Sequence, residues 1–350
     1  MSLLSLTDRG LFCEPGDFYV DPWEPVDRAV ITHAHGDHAT WGSRAYLTAE
    51  PGYSVLRARM QPDASIRGLP YGEGISINGV TVSLHPAGHI LGSAQVRLVH
   101  RGEIWVVSGD YKTDPDPTCT PFQPVRCHTF ITESTFGLPI YRWPSQSDVF
   151  AEINSWWRAN AAAGKTSMLY GYTLGKAQRL IAGLDSSIGP ILTHGAVERI
   201  TAIYRSAGVP FPPTRYAGTA ERRVETRGAI VIAPPHASGS SWTRRFGPQS
   251  TAFASGWMLV RGARRRRALD RGFALSDHVD WPSLLATIDA TGAEDIWVTH
   301  GFTGPVVRWL EERGLHARAV QTRFEGERDD EAGDEEGPLG SGAAEQEVYS

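Results

Sequence analysis

Val30-Ile31-Thr32-His33-Ala34-His35-Gly36-Asp37-His38 places three imidazoles and a carboxylate within six residues, directly after an apolar run. Histidines and carboxylates at such spacing are metal ligands by type. A strand shows alternate residues on one side, so His33 and His35 at its end face the same way. Asp37 and His38 come from the turn that follows and can reach a second ion. The spacing therefore predicts two metal positions close together. A single histidine is more often a packed or surface residue, but that explanation does not cover four ligands in the order HxHxDH.

Two later segments supply ligands in order. Pro86-Ala87-Gly88-His89-Ile90-Leu91-Gly92-Ser93-Ala94 carries His89 in a glycine-flanked turn, and Val106-Val107-Ser108-Gly109-Asp110-Tyr111-Lys112 carries Asp110 after an apolar run. Taken with the first stretch, these resemble the ordered ligand motifs of the metallo-β-lactamase fold. The resemblance implies that His33, His35 and His89 hold one divalent ion, that Asp37, His38 and a later histidine hold another, and that Asp110 bridges them. A shared carboxylate keeps two cations close while leaving room for water.

Composition bounds the reading. At 350 residues and 41% hydrophobic content the chain can bury a sizeable core in one large or two medium domains. No terminal apolar run is long enough for a signal peptide or a membrane span. Cys13, Cys119 and Cys127 have no zinc-type pair spacing, so they are expected to be reduced thiols in a cytoplasmic protein. The net charge of −5 hides an asymmetry: residues 324–350 hold ten Asp or Glu against one Arg, which is −9 and leaves +4 on residues 1–323. That tail lacks apolar periodicity and is expected to be disordered. Among the basic residues 31 are Arg and three are Lys. Arg264-Arg265-Arg266-Arg267, flanked by Arg261 and Arg271, fits either a solvated loop or a contact with a phosphate backbone.

Apolar runs end at the suspected ligands: Ala29 to Thr32 before His33, Val80 to Leu84 before the His89 turn, and Ile104 to Val107 before Asp110. Asn78-Gly79 and Arg101-Gly102 read as hairpin turns between strands. From Ser147 helix and strand alternate in the rhythm of a parallel α/β layer. Helices are expected through Trp156 and Trp157, over Lys176 to Leu184 and over Ala196 to Ala207, with strands at Met168 to Tyr170, Ile191 to Thr193 and Ile230 to Ile232. Residues 1–140 and 251–323 are read as one split core, with 141–250 as an inserted cap.

An insertion at this point, followed by Ser276-Asp277-His278 and Val298-Thr299-His300-Gly301, resembles the β-CASP branch of the same superfamily, whose members cut nucleic-acid phosphodiesters. Thr132-Glu133-Ser134-Thr135-Phe136-Gly137 matches its motif A, His278 its motif B and His300 its motif C. The fold implied is α/β: an αββα sandwich carrying an inserted β-CASP α/β cap. His300 becomes the missing ligand of the second ion. His278 becomes a phosphate contact and proton donor oriented by Glu133, and Asp37 stands among the catalytic residues. The alternatives are that Glu133 merely accepts backbone hydrogen bonds and that His278 is a surface residue ahead of a helix.

Within the branch, Ala254-Ser255-Gly256-Trp257-Met258, the arginine run and the length resemble the bacterial DNA ligase-associated exonucleases. That implies an exonuclease of DNA repair, with zinc or manganese, and iron also suited, acting alongside a ligase and a helicase. His300 and Glu133 look more like the RNA-processing members, so an RNase J-like nuclease is the alternative; a small-molecule hydrolase would need the ligands but not Glu133 or His278. Gly171-Tyr172-Thr173-Leu174-Gly175-Lys176-Ala177-Gln178 puts Lys176 at a helix start, where it is either a phosphate ligand or an ordinary first-turn residue. Ser238, after Pro234-Pro235, is a second candidate for phosphate, together with Arg264 to Arg267.

Overall fold

A computed structural model describes residues 2–219, 226–260 and 269–323; the expectations for Arg264 to Arg267 and for the acidic segment 324–350 lie outside them. The first sheet forms from strands that lie side by side in chain order: β1 (Ser5–Thr7), β2 (Gly10–Cys13), β3 (Phe18–Val20), β4 (Arg28–Val30), β5 (Ala45–Ala49) and β6 (Ser65–Leu69). The first three pair antiparallel and the rest parallel, with helix α1 (Tyr53–Arg59) in the crossover to β6.

The second sheet starts with β7 (Gly74–Ile77), β8 (Val80–Pro86), β9 (Ala94–His100), β10 (Glu103–Val107) and β11 (Thr129–Ser134). Both expected hairpins are present. Asn78 and Gly79 have φ of 47° and 85°, and Arg101 and Gly102 have 49° and 86°. Paired positive φ values give the turn the same twist as its strands.

The chain then builds a third, wholly parallel sheet in the order β14-β13-β15-β12-β16-β17. Its strands are β12 (Thr166–Tyr170), β13 (Ile191–Thr193), β14 (Thr214–Tyr216), β15 (Ile230–Ala233), β16 (Gln249–Ala254) and β17 (Arg271–Phe273). Helices α2 (Gln146–Ala162), α3 (Lys176–Ala182), α4 (Gly195–Ser206) and α5 (Ser241–Arg244) accompany it. Here the structure corrects the expected return to the first half at residue 251, because β16 pairs with β12 and β17 with β16. The return falls after Phe273. The segment Ala252–Ala254 is buried throughout, and a strand covered on both faces carries no alternation to show which sheet it joins.

After α6 (Trp281–Thr291), β18 (Asp295–Gly301) inserts beside β11, and α7 (Thr303–Glu311) leads to β19 (His316–Ala319) on the edge of the second sheet. One apolar cluster joins Leu11, Val20 and Val30 of the first sheet to Val82, Val96 and Val107 of the second. Val279, Leu284, Val306 and Leu310 cover the other face of the second sheet. On the outer side of the first, Val55 and Leu56 pack with Ile200 and Tyr204 of α4. This is a mixed α/β architecture in which strand ends β4, β10, β11 and β18 come together. No helix of the described residues is long and apolar enough to cross a membrane.

Candidate metal centre

His33 and His35 follow β4, and the backbone there is fixed on both sides: Ile31 N donates to Leu47 O at 2.8 Å and Ala94 N to Thr32 O at 2.8 Å. Thr32 is thereby tied to both sheets. His33 Nε2 and His89 Nε2 each approach His35 Nδ1 to 3.1 Å. Outward-facing nitrogens explain how such crowding is tolerated. His33 Nδ1 meets the Thr32 hydroxyl at 3.1 Å, and that hydroxyl already donates to Asp21 Oδ2 at 2.5 Å. His35 Nε2 meets Leu174 O at 3.2 Å and His89 Nδ1 meets Asp277 O at 2.9 Å. Each outer partner can only accept, so each ring carries its proton outside and turns a lone pair inward. Burial pushes all three imidazoles below their ordinary pKa, which favours the neutral form that binds metal.

Asp110 is the fourth member of this group, and all four ligand atoms lie within 4.8 Å of one another. Its Oδ2 stands 3.5 Å from His33 Nε2 and 3.8 Å from His89 Nε2. The same oxygen is 3.5 Å from His38 Nε2, and His38, Asp110 and His300 make a second group with the same mutual limit. His38 Nδ1 donates to Asp21 Oδ2 at 2.7 Å, while its Nε2 is buried without a hydrogen-bond partner. A buried unpaired ring nitrogen costs about 1–3 kcal/mol. It is the orphan atom that a cation would satisfy. Burial opposes charge on His38, yet Asp37 and Asp110 hold its pKa well above the usual value, so a proton there supplies the positive charge a metal would bring. Burial likewise opposes charge on Asp110, but the facing His38 and His278 keep its carboxyl well below the ordinary range. The donor set thus fits two cations around a shared carboxylate.

Asp37 stands beside the second group rather than among its mutually close atoms, with Oδ2 3.5 Å from His38 Nε2. His300 reaches the group because β18 bulges. Thr299 pairs with Glu133 and Gly301 with Ser134, leaving His300 as the extra residue at φ 50°. Such bulges re-aim one side chain at a strand end. Gly301, at φ 72°, is confined to glycine here, since a Cβ would lie 2.5 Å from Ser134 O and Thr135 Cα.

Glu133 is buried in β11 and does two things at once. Its Oε1 accepts from Tyr111 N at 2.9 Å, and its Oε2 lies 2.9 Å from His278 Nδ1. His278 is therefore a buried residue held by a carboxylate, not a surface histidine. Its Nδ1 is 4.0 Å from Asp110 Oδ2, and its ring centroid is 4.8 Å from that of His89.

Lys176 requires a correction. It begins α3 as expected, but it is fully buried, its Nζ donating to Asp277 Oδ1 and, at 3.1 Å, to Leu275 O. One turn later Arg179 is held by Asp116, with Nε–Oδ2 at 2.5 Å, and its guanidinium donates to Ser276 O at 3.0 Å and His89 O at 3.3 Å. This helix start clamps the third sheet to the His89 turn and offers no lysine to a phosphate. Ser238 is exposed beside the turn Pro235–Ala237 and belongs to neither ligand group. Sequence reasoning missed Asp21, which orients His38 and Thr32, and the partners Asp116 and Arg179. Asp21 shared with Asp110 the signal of a carboxylate at a strand end.

No protein-family model matches the chain. It is 33% identical over 315 residues to a protein of Opitutus terrae named "Probable DNA ligase", covering 89% of this chain and 30% of that one. To the "RNase J-like protein" of Methanocaldococcus jannaschii it is 24% identical over 234 residues, covering 57% of this chain and 55% of that one. The chain thus spans between about a third and about half of the length of these curated relatives. A solved structure of a protein of unknown function from Enterococcus faecalis superposes with a TM-score of 0.56 at 12% identity, over 86% of this chain and 80% of that one, a likeness of fold alone. The chain resembles the β-CASP branch of the metallo-β-lactamase superfamily, and these relatives support that resemblance.

Proposed function

We propose that the protein is a two-cation hydrolase of nucleic-acid phosphodiesters and, within that class, a DNA exonuclease of repair. The observation that carries this reading is the pair of inward-facing ligand groups sharing Asp110, with His278 held by Glu133 at their side. Residues 1–140 and about 274–323 would form the αββα core, and 141 to about 273 the cap. His33, His35, His89 and Asp110 would hold one ion, and His38, Asp110 and His300, with Asp37 adjacent, the other. Bound there, zinc, manganese or iron would acidify water and offset charge on the phosphate oxygens. With Nδ1 of His278 held by Glu133, its Nε2 would pass a proton to the departing oxygen. A small-molecule hydrolase would have no use for that pair.

The relative whose matching segment lies in a polypeptide named a DNA ligase supports DNA as substrate and action beside a ligase. His300 and the RNase J-like relative favour RNA as the second reading. End-labelled single- and double-stranded DNA and matched RNA, incubated with metal-reconstituted protein, test both. Stepwise shortening of DNA is expected; preferential loss of RNA would establish the alternative, and inertness toward all of them would end the nuclease reading.

Metal should also stabilise the fold, because the converging lone pairs lack partners without it. At a free ion concentration about a thousand times Kd the gain is roughly 4 kcal/mol. Thermal unfolding in chelator and after addition of zinc or manganese should differ by several degrees, and identical midpoints would contradict a preformed site.

A further inference from the structure

Phe136, two residues beyond β11, is the hub of an aromatic cluster beside the candidate centre. The rings of Tyr141, Trp143 and Trp257 each have centroids 4.8 Å from it, and His278 lies at 6.0 Å. Phe302, two residues after His300, faces Tyr141 at 6.1 Å and Trp257 at 6.3 Å. Gly256 permits this approach, since a Cβ there would come within 2.5 Å of Phe136 and 2.9 Å of Trp143.

Packing explains the inner rings. Phe136 and Tyr141 are buried, and the Trp143 indole donates to His278 O at 2.9 Å. The outer pair is different. Trp257 and Phe302 are only half-buried, although they sit where the third sheet meets the end of β18. Two half-buried aromatic rings beside His278 and His300 describe a place for a nucleotide base.

We propose that Trp257 and Phe302 form a platform for the base next to the scissile phosphate. The inference rests on the nuclease reading and deepens it. The two rings are inclined at 59°, so they make a ledge for one base rather than a slot between parallel planes. A ledge accepts any base but only an unpaired one, so the substrate is a strand end that is single-stranded or frayed.

The test uses 5′- and 3′-labelled single strands that are either intact or abasic at their two terminal nucleotides. Base–aromatic stacking corresponds to roughly 5- to 150-fold in affinity, so the parent should favour the intact strand by that order in kcat/KM. Trp257→Ala and Phe302→Ala should lower the rate on the intact strand far more than on the abasic one, and Trp257→Phe should recover most of the loss. Equal parental rates on both strands, or equal losses on both in the alanine variants, would overturn the platform. Binding of the two strands to metal-free protein, read by tryptophan fluorescence, keeps the questions apart. Preference for the intact strand without any cleavage would retain the platform and remove the nuclease reading, whereas equal binding with cleavage would do the reverse.

Discussion

Asp110→Ala will lose metal from both positions and cleave no phosphodiester at a measurable rate. Its Oδ2 is the only described atom common to both ligand groups, within 3.5 Å of His33 Nε2 and of His38 Nε2. Removing it leaves both groups of imidazoles without the carboxylate they share. The loss of affinity should exceed the roughly 10- to 100-fold that follows loss of an outer partner, and Asp21→Ala supplies that comparison, because the Asp21 carboxylate meets His38 at Nδ1, the side away from Asp110. Elemental analysis of folded, gel-filtered protein reads the result. A full complement of two ions with parental activity in Asp110→Ala would end the shared-ligand assignment.

His278→Ala should behave in the opposite way, keeping both ions while slowing cleavage. Its Nδ1 is engaged by Glu133, and the second ligand group is completed by His300 without it. Loss of a general acid typically costs 10²- to 10⁴-fold, so a reduction of about that size is expected on ordinary DNA. A nitrophenolate leaving group needs little protonation and should be affected much less. The informative quantity is the ratio of variant to parent rates on the two substrates at equal metal occupancy. Equal losses, or a missing ion, would move the proton donor elsewhere. Glu133→Gln should give a milder version of the same selectivity, since an amide can still orient the ring but no longer stabilises its charged form.

The ligands were legible because their chemistry is local: HxHxDH sits in one turn, and His89, Asp110 and His300 each end an apolar run. What surrounds them was not, because it depends on contacts distant in sequence. Asp21 reaches His38 across 17 residues, Asp277 holds His89 across 188, and Lys176 finds Asp277 across 101. Lys176 shows why a helix-start lysine misleads: the pattern that would greet a phosphate also serves a buried ion pair. Strands of three or four residues, such as β1 to β3, gave too few alternations to be read. The placement of Ala252–Ala254 failed for the related reason that a segment buried on both faces lacks a polar side. His300 was found by its resemblance, but the bulge that aims it is visible only in the pairing of β18 with β11.

The buried pairs Lys176–Asp277 and Arg179–Asp116 limit how this chain can be recombined. Asp116 follows the second-sheet strand that precedes Asp110, and Asp277 lies on the segment leaving the third sheet, whereas both cations arrive on α3. A graft of the third sheet from a homologue lacking these carboxylates or cations would leave charges stranded in the interior, where an unmatched partner costs about 3–5 kcal/mol. Modular exchange would therefore succeed only when the four residues travel as a unit, and their co-occurrence is a criterion by which compatible donors can be chosen.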